Sequence, residues 1–192
     1  FFSNEINNKF IDDFSKNTKE QINFLSETID DFRDFFNPNK QKVVFEIKSA
    51  IEKSLKFMGN QFEMNRVKIN IEYKDEKVYG IETELEQVIL NILNNSMDAF
   101  KERERENKEI NIKVLSKQSY TILIMEDNAG GVKEESLEKI FDPYYTTKST
   151  GTGTGLYMVK LVIKNSLQGD LKINNSEKGL RYIIALPQKE EN

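Results

Sequence analysis

Histidine and cysteine are both absent from this 192-residue chain. Without them there is no imidazole general base, no thiolate nucleophile and no disulfide, and the commonest zinc ligands are gone. Any chemistry must therefore come from carboxylates, amides, hydroxyls, lysine or a bound ion. The lack of cysteine fits a reducing compartment, so a cytoplasmic location is the expectation. No run of about 18 apolar residues is present, so no membrane-spanning helix is expected. A leader resembling a signal peptide is missing as well, and a start of Phe1-Phe2-Ser3 without methionine reads as a piece of something longer. Net charge is −4 with no polybasic run, which sets nucleic acid aside as a partner.

What is present is a globular balance, 38% hydrophobic and 31% charged. Pro38 divides the chain into residues 1–38 and 39–192. The first part carries four basic and eight acidic side chains, which accounts for the whole net charge. Its apolar positions Ile22, Leu25, Ile29, Phe32 and Phe36 alternate three and four apart, the seam of a packed helix pair. Phe10, Phe24 and Phe35 widen that seam toward a four-helix bundle. A lone helix of this length is marginal in water, so it is expected to find a partner helix.

The second part mixes periods. Ile47, Ala50, Ile51, Ser54, Leu55 and Met58 mark a helix, and Val67–Ile71 alternates like a strand with one buried face. Thr83-x-x-Glu86 reads as a capping box opening a helix that runs to about Phe100. Residues 110–115 and 120–125 read as a strand pair, 155–167 as a helix, and 171–173 and 182–186 as strands joined near Lys178-Gly179. The Lys-Glu-Arg-Glu-Arg-Glu run at 101–106 reads as a solvated helix end or loop. The expected fold is α/β, a two-layer sandwich of three helices on a mixed sheet, preceded by one long bundle-type helix.

Four blocks inside residues 85–156 carry candidate chemistry. In the first, Leu85, Val88, Ile89, Ile92, Ser96 and Ala99 form a core stripe. Asn91, Asn95 and Asp98 share a different face, within about 60° at roughly 100° per residue. Asparagine is a poor interior helix former, so such a face wants a task. Mg²⁺ prefers hard oxygen ligands, and the amide oxygen of Asn95 suits it. In the second block, Glu126-Asp127 ends a strand before a sharp Asn128-Ala129-Gly130-Gly131 turn. A carboxylate there accepts a hydrogen bond from the exocyclic amine of adenine, whereas guanine would present a carbonyl. The third block, Ile140-Phe141-Asp142-Pro143-Tyr144-Tyr145-Thr146-Thr147-Lys148, sits in a long stretch with little regular structure, the kind that forms lids. The fourth, Gly151-Thr152-Gly153-Thr154-Gly155-Leu156, precedes a helix and offers free amides to an anion.

As an ordered set these blocks resemble the N, G1, F and G2 boxes of the catalytic and ATP-binding domain of sensor histidine kinases, over about residues 40–187. Residues 1–37, especially 24–36, resemble the second helix of the dimerisation and phosphotransfer domain. The resemblance implies ATP and Mg²⁺ as cofactors, with Asn95 ligating the metal and Asn91 close to metal and phosphates. It implies Asp127 on the adenine amine and Gly131 permitting base approach. Phe141 would anchor the lid, Lys148 would approach the phosphates, and the amides around Gly151, Gly153 and Gly155, with Leu156 adjoining, would cradle them. Asp98 occupies a position more variable in the family. Ala129 stands where a glycine is common, and Thr154 where leucine is common.

Hydrolytic relatives place a glutamate four residues before the metal asparagine; here Asn91 stands there, and an amide is no general base. The implied activity is histidine phosphorylation from ATP, with the acceptor histidine on a bundle helix of a longer kinase. The implied partners are that helix and a response regulator receiver domain. The intact protein would be a homodimer, cytoplasmic or membrane-anchored. Two other readings share the boxes: an anti-sigma-type protein-serine kinase, and a non-catalytic dimerisation module with a nucleotide site.

Overall fold

The computed structural model describes Ser15, residues 41–148 and residues 153–190. The expected bundle helix before Pro38 therefore lies outside the described residues. Residues 41–190 fall within one compact unit, Gln41–Asn192.

Strand β1 (Val43–Glu46) leads directly into helix α1 (Ile47–Asn65), which buries Ile47, Ala50, Ile51, Ser54, Met58 and Phe62. That three-and-four spacing keeps one face on the core. Arg66 stops the helix in the left-handed region at φ 54°, its N–H donating to the carbonyls of Phe62 and Glu63. Strand β2 (Val67–Glu72) follows, then β3 (Lys77–Gly80), helix α2 (Glu82–Glu102), β4 (Lys108–Lys117) and β5 (Tyr120–Asp127). After β5 come a single helical turn α3 (Glu134–Leu137), helix α4 (Gly155–Leu161) running on as a π-helical turn over Val162–Ser166, and strands β6 (Asp170–Asn175) and β7 (Leu180–Pro187).

Five strands form a mixed sheet in the order β2-β4-β5-β7-β6, with β2 parallel to β4 and every other pair antiparallel. Along β5, Thr121, Leu123, Met125 and Asp127 are buried while the residues between them are half-exposed. β7 repeats the pattern with Leu180, Tyr182, Ile184 and Leu186 inward. Period-two alternation of this kind means one face of the sheet is covered. It also delivers Asp127, the last residue of β5, to the inner face.

Four details depart from the sequence reading. Helix α2 begins at Glu82 with Ile81 as its cap, and no side chain caps it. Thr83 is thus inside the helix, and Glu86 turns to Lys53 at 3.2 Å instead of reaching back. The core stripe of α2 ends on Leu93 and Phe100, while Ala99 faces the cavity described below. β2 is an edge strand with no fully buried residue, and Ile71 is 43% exposed. A separate antiparallel pair, β1 with β3, was not foreseen, because Val43 and Val44 are about half exposed and show no alternation.

Candidate functional site

Helix α2 and the tip of β5 meet at a cavity of about 350 Å³. Its walls include Asn91, Asn95, Asp98, Asp127, Gly131, Lys148, Gly153, Gly155 and Leu156, so nine of the sequence candidates come together. Gly151 lies outside the described residues. Phe141 does not line the cavity; its ring lies under Lys160, whose Nζ is 5.4 Å from the ring centroid.

One end of the cavity is built around Asp127, which is 4% exposed. Ser96 Oγ donates to its Oδ2 at 3.0 Å, and the N–H groups of Ala129 and Leu180 donate to Oδ1 at 2.9 and 3.3 Å. A carboxylate offers about four acceptor sites, so capacity for a further donor remains. Beneath it, burial first and the Asp127 charge second push the Tyr182 phenol far above its ordinary range, so that ring stays neutral. The turn after Asp127 needs two glycines in the left-handed region, Gly130 at φ 95° and Gly131 at φ 69°. Asn128 fastens that turn to the start of β4 by accepting from Glu109 N at 2.9 Å and donating to Asn107 O at 2.6 Å.

At the other end Lys148 Nζ lies 3.1 Å from Asn95 Oδ1 and 2.7 Å from Asp98 Oδ2. An ammonium therefore rests on two of the hard oxygens that α2 presents. The Asn91 amide donates to Gln87 O at 3.1 Å, which leaves its Oδ1 toward Gly155. A methyl at Gly155 would come within 3.2 Å of that oxygen, so the bare backbone keeps the space open. The segment between the two ends closes on itself: Tyr144 N donates to Gly153 O at 3.0 Å, and Tyr145 Oη donates to Ser136 Oγ at 2.9 Å.

Residues 80–190 match the family described as histidine kinase-, DNA gyrase B-, and HSP90-like ATPase. The chain belongs to this ATPase family. It is 27% identical to Sporulation kinase B of Bacillus subtilis (strain 168) over 192 residues, covering 97% of this chain and 44% of that protein. It thus spans less than half the length of that relative. The nucleotide-free catalytic domain of the histidine kinase ThkA superposes with a TM-score of 0.70 at 25% identity, covering 77% of this chain and 96% of that one. ThkA in complex with the response regulator protein TrrA has a TM-score of 0.69 at 21% identity, covering 98% of this chain and 53% of that one, a likeness of fold. The sensor histidine kinase resemblance therefore holds for the ATPase domain.

Among the described residues of this ATPase domain, no cluster of three or more carboxylates could cage a metal, and no helix is long and apolar enough to cross a membrane. The donor set fits Mg²⁺ nonetheless, since that ion keeps several waters and takes few protein oxygens. The Lys148 ammonium occupies the side-chain oxygens of Asn95 and Asp98 in this structure.

Three supporting residues escaped the sequence reading. Ser96 passed for core because its spacing matches the apolar stripe, yet its hydroxyl holds Asp127. Gly179 passed for a strand joint, yet a methyl there would collide with the backbone and side chain of Asp127. Arg103 sits in the charge run read as solvated, yet its guanidinium donates to Ala129 O and to Gly131 O, the latter at 2.6 Å. For Ser96 a signal existed: a hydroxyl within an apolar stripe needs a partner.

Proposed function

We propose that this chain is the ATP-binding catalytic portion of a sensor histidine kinase, passing the γ-phosphoryl group of ATP to a histidine outside these 192 residues for relay to a response regulator. The observation that carries the reading is the convergence of Asn91, Asn95, Asp98, Asp127 and Lys148 on one cavity. Phosphoryl transfer asks little covalent chemistry of the protein, so positioning and charge stabilisation dominate.

The residues divide that task. Asp127 accepts the adenine amine through its remaining lone pair, and Gly131 lets the base approach the turn. Asn95 supplies an amide oxygen to Mg²⁺, with Asn91 beside the phosphates. Mg²⁺, when bound, supplies charge neutralisation on the phosphate oxygens. Lys148 exchanges Asn95 and Asp98 for a phosphate, a move between charge-assisted partners. Backbone amides around Gly151, Gly153 and Gly155 cradle the phosphates, and Phe141 anchors the lid that carries Lys148. Asn91 is an amide and takes no proton from water, so the site waits for an external nucleophile.

The apolar seam Ile22, Leu25, Ile29, Phe32 and Phe36 supports a bundle helix that pairs with a partner helix of the longer kinase. The complex of ThkA with TrrA supports the relay to a receiver domain. Mg²⁺-dependent ATP affinity of the wild type, Asn95→Ala and Asp127→Asn tests the reading. Losses of about tenfold or more are expected in each variant, the scale of a lost charged hydrogen bond. Equal binding by all three proteins would remove it. Mass spectrometry is expected to show no stable self-phosphorylation of this chain, which holds no histidine, and its detection would contradict the reading.

A further inference from the structure

We infer that Arg103 is a positioning residue that sets the base-reading turn and thereby the preference for adenine. This rests on the nucleotide reading above. Arg103 follows directly on α2, the helix that carries Asn91, Asn95 and Asp98, and it lies on the cavity wall. One guanidinium spans two carbonyls of the turn, Ala129 O and Gly131 O. A planar fork matches such a pair of acceptors, and a lysine point charge does not.

The turn needs that grip. With Gly130 at φ 95° and Gly131 at φ 69°, its backbone has the conformational freedom that two consecutive glycines confer. On its far side, Gly130 N donates to Lys178 O at 2.8 Å, and Asn175 clasps Val132 by accepting from its N–H at 2.9 Å and donating to its carbonyl at 2.7 Å. Those contacts hold the turn to β6 and β7 only. Arg103 alone among the described side chains carries a hydrogen bond from the end of α2 to this turn. It therefore fixes the base end of the cavity relative to the helix that sets the phosphate end. Ala129 N, one of the donors orienting Asp127, belongs to the same turn. Loosening the turn weakens one of the three donors that orient the carboxylate, the others being Ser96 Oγ and Leu180 N, and that carboxylate distinguishes an exocyclic amine from a carbonyl.

The test compares the full chain with Arg103→Lys and Arg103→Met, titrated with Mg²⁺-ATP and with Mg²⁺-inosine triphosphate. Inosine triphosphate differs by a carbonyl where adenine has its amine. The expected result is an ATP affinity about tenfold weaker in Arg103→Met, the scale of a lost hydrogen bond to a charged group. Inosine triphosphate affinity should stay within about twofold, so the preference ratio collapses. Arg103→Lys should recover less than half of the lost preference. Hydrogen exchange at residues 128–132 should quicken in both variants and not elsewhere, a readout that serves even where a variant melts early. Equal weakening toward both nucleotides, or an unchanged ratio with unchanged exchange, overturns the inference while leaving ATP binding standing. Wild-type chain that binds neither nucleotide overturns both.

Discussion

Ser96 Oγ lies 3.0 Å from Asp127 Oδ2, joining the inner face of α2 to the last residue of β5. Both residues are buried, at 3% and 4% exposure, so the bond is made away from water. Ser96→Ala leaves the carboxylate with its two backbone donors, Ala129 N and Leu180 N. Removing a hydroxyl that serves a buried charged acceptor costs about 1.5–3 kcal/mol. Urea denaturation should show that loss with an unchanged m-value, because the surface exposed on unfolding is the same. ATP affinity should fall as well, since Asp127 can rotate. A Ser96→Ala chain as stable as wild type would mean that the hydroxyl does not serve the carboxylate.

Gly155 and Gly179 predict opposite outcomes for the same substitution. A methyl on Gly179 would press on Asp127 backbone and side chain, atoms that cannot yield without breaking the β5 end. Gly179→Ala should therefore destabilise by several kcal/mol, in the range of overpacking at about 1–3 kcal/mol or above. Gly155 opens α4 without a left-handed φ, and the methyl meets only Asn91 Oδ1 at 3.2 Å. Alanine at a φ it can adopt gains about 0.4–1 kcal/mol over glycine by restricting the unfolded chain, so Gly155→Ala should melt no lower than wild type. It should nonetheless bind ATP more weakly, because the methyl pushes on Asn91 at the phosphate end. Thermal melts paired with nucleotide titration separate the two effects. A destabilised Gly155→Ala chain would contradict the assignment of that glycine to ligand space.

The helices and the central strands were legible because burial imposes a period. α1 and α2 carry three-and-four stripes, and β5 alternates cleanly down to Asp127. The same periods revealed Asn91, Asn95 and Asp98, since two amides and a carboxylate on one helix face stand out against a solvated background. What the pattern could not show were elements held by something other than a buried face. β1 and β3 pair through backbone bonds with Val43 and Val44 half-exposed. The start of α2 is fixed by Glu84 N and Leu85 N donating to Ile81 O, so the capping-box letters at Thr83 and Glu86 place the cap two residues late. Arg103 was unreadable for a related reason. Arg103 and its neighbours Lys101, Glu102, Glu104 and Glu106 are all exposed, and nothing local marks the side chain that donates to a turn 26 residues on.

Lys53 bridges Glu82 at 2.8 Å and Glu86 at 3.2 Å, which ties α1 to the first turn of α2. The Lys53 hydrogen bond, followed by one from Ser49, holds the Glu82 carboxyl below its ordinary value of 4.5. Hydrogen bonds donated to Glu82 and then to Glu86 hold the Lys53 ammonium above its ordinary value of 10.5. A depressed carboxylate stabilises the fold above its unfolded pKa, and that contribution disappears as pH falls through the folded one. A raised ammonium stabilises below its unfolded pKa, and its contribution is lost as pH rises through the folded one. Wild type should therefore keep a constant advantage over Lys53→Met from about pH 5 to about pH 10, shrinking outside that window on both sides. The Lys53 side chain is 55% exposed, so the advantage should be small and should shrink in salt. Melting temperatures across pH at low and high ionic strength measure this. A gap between the two proteins that widened as acid was added would reverse the sign and exclude the pair as its source.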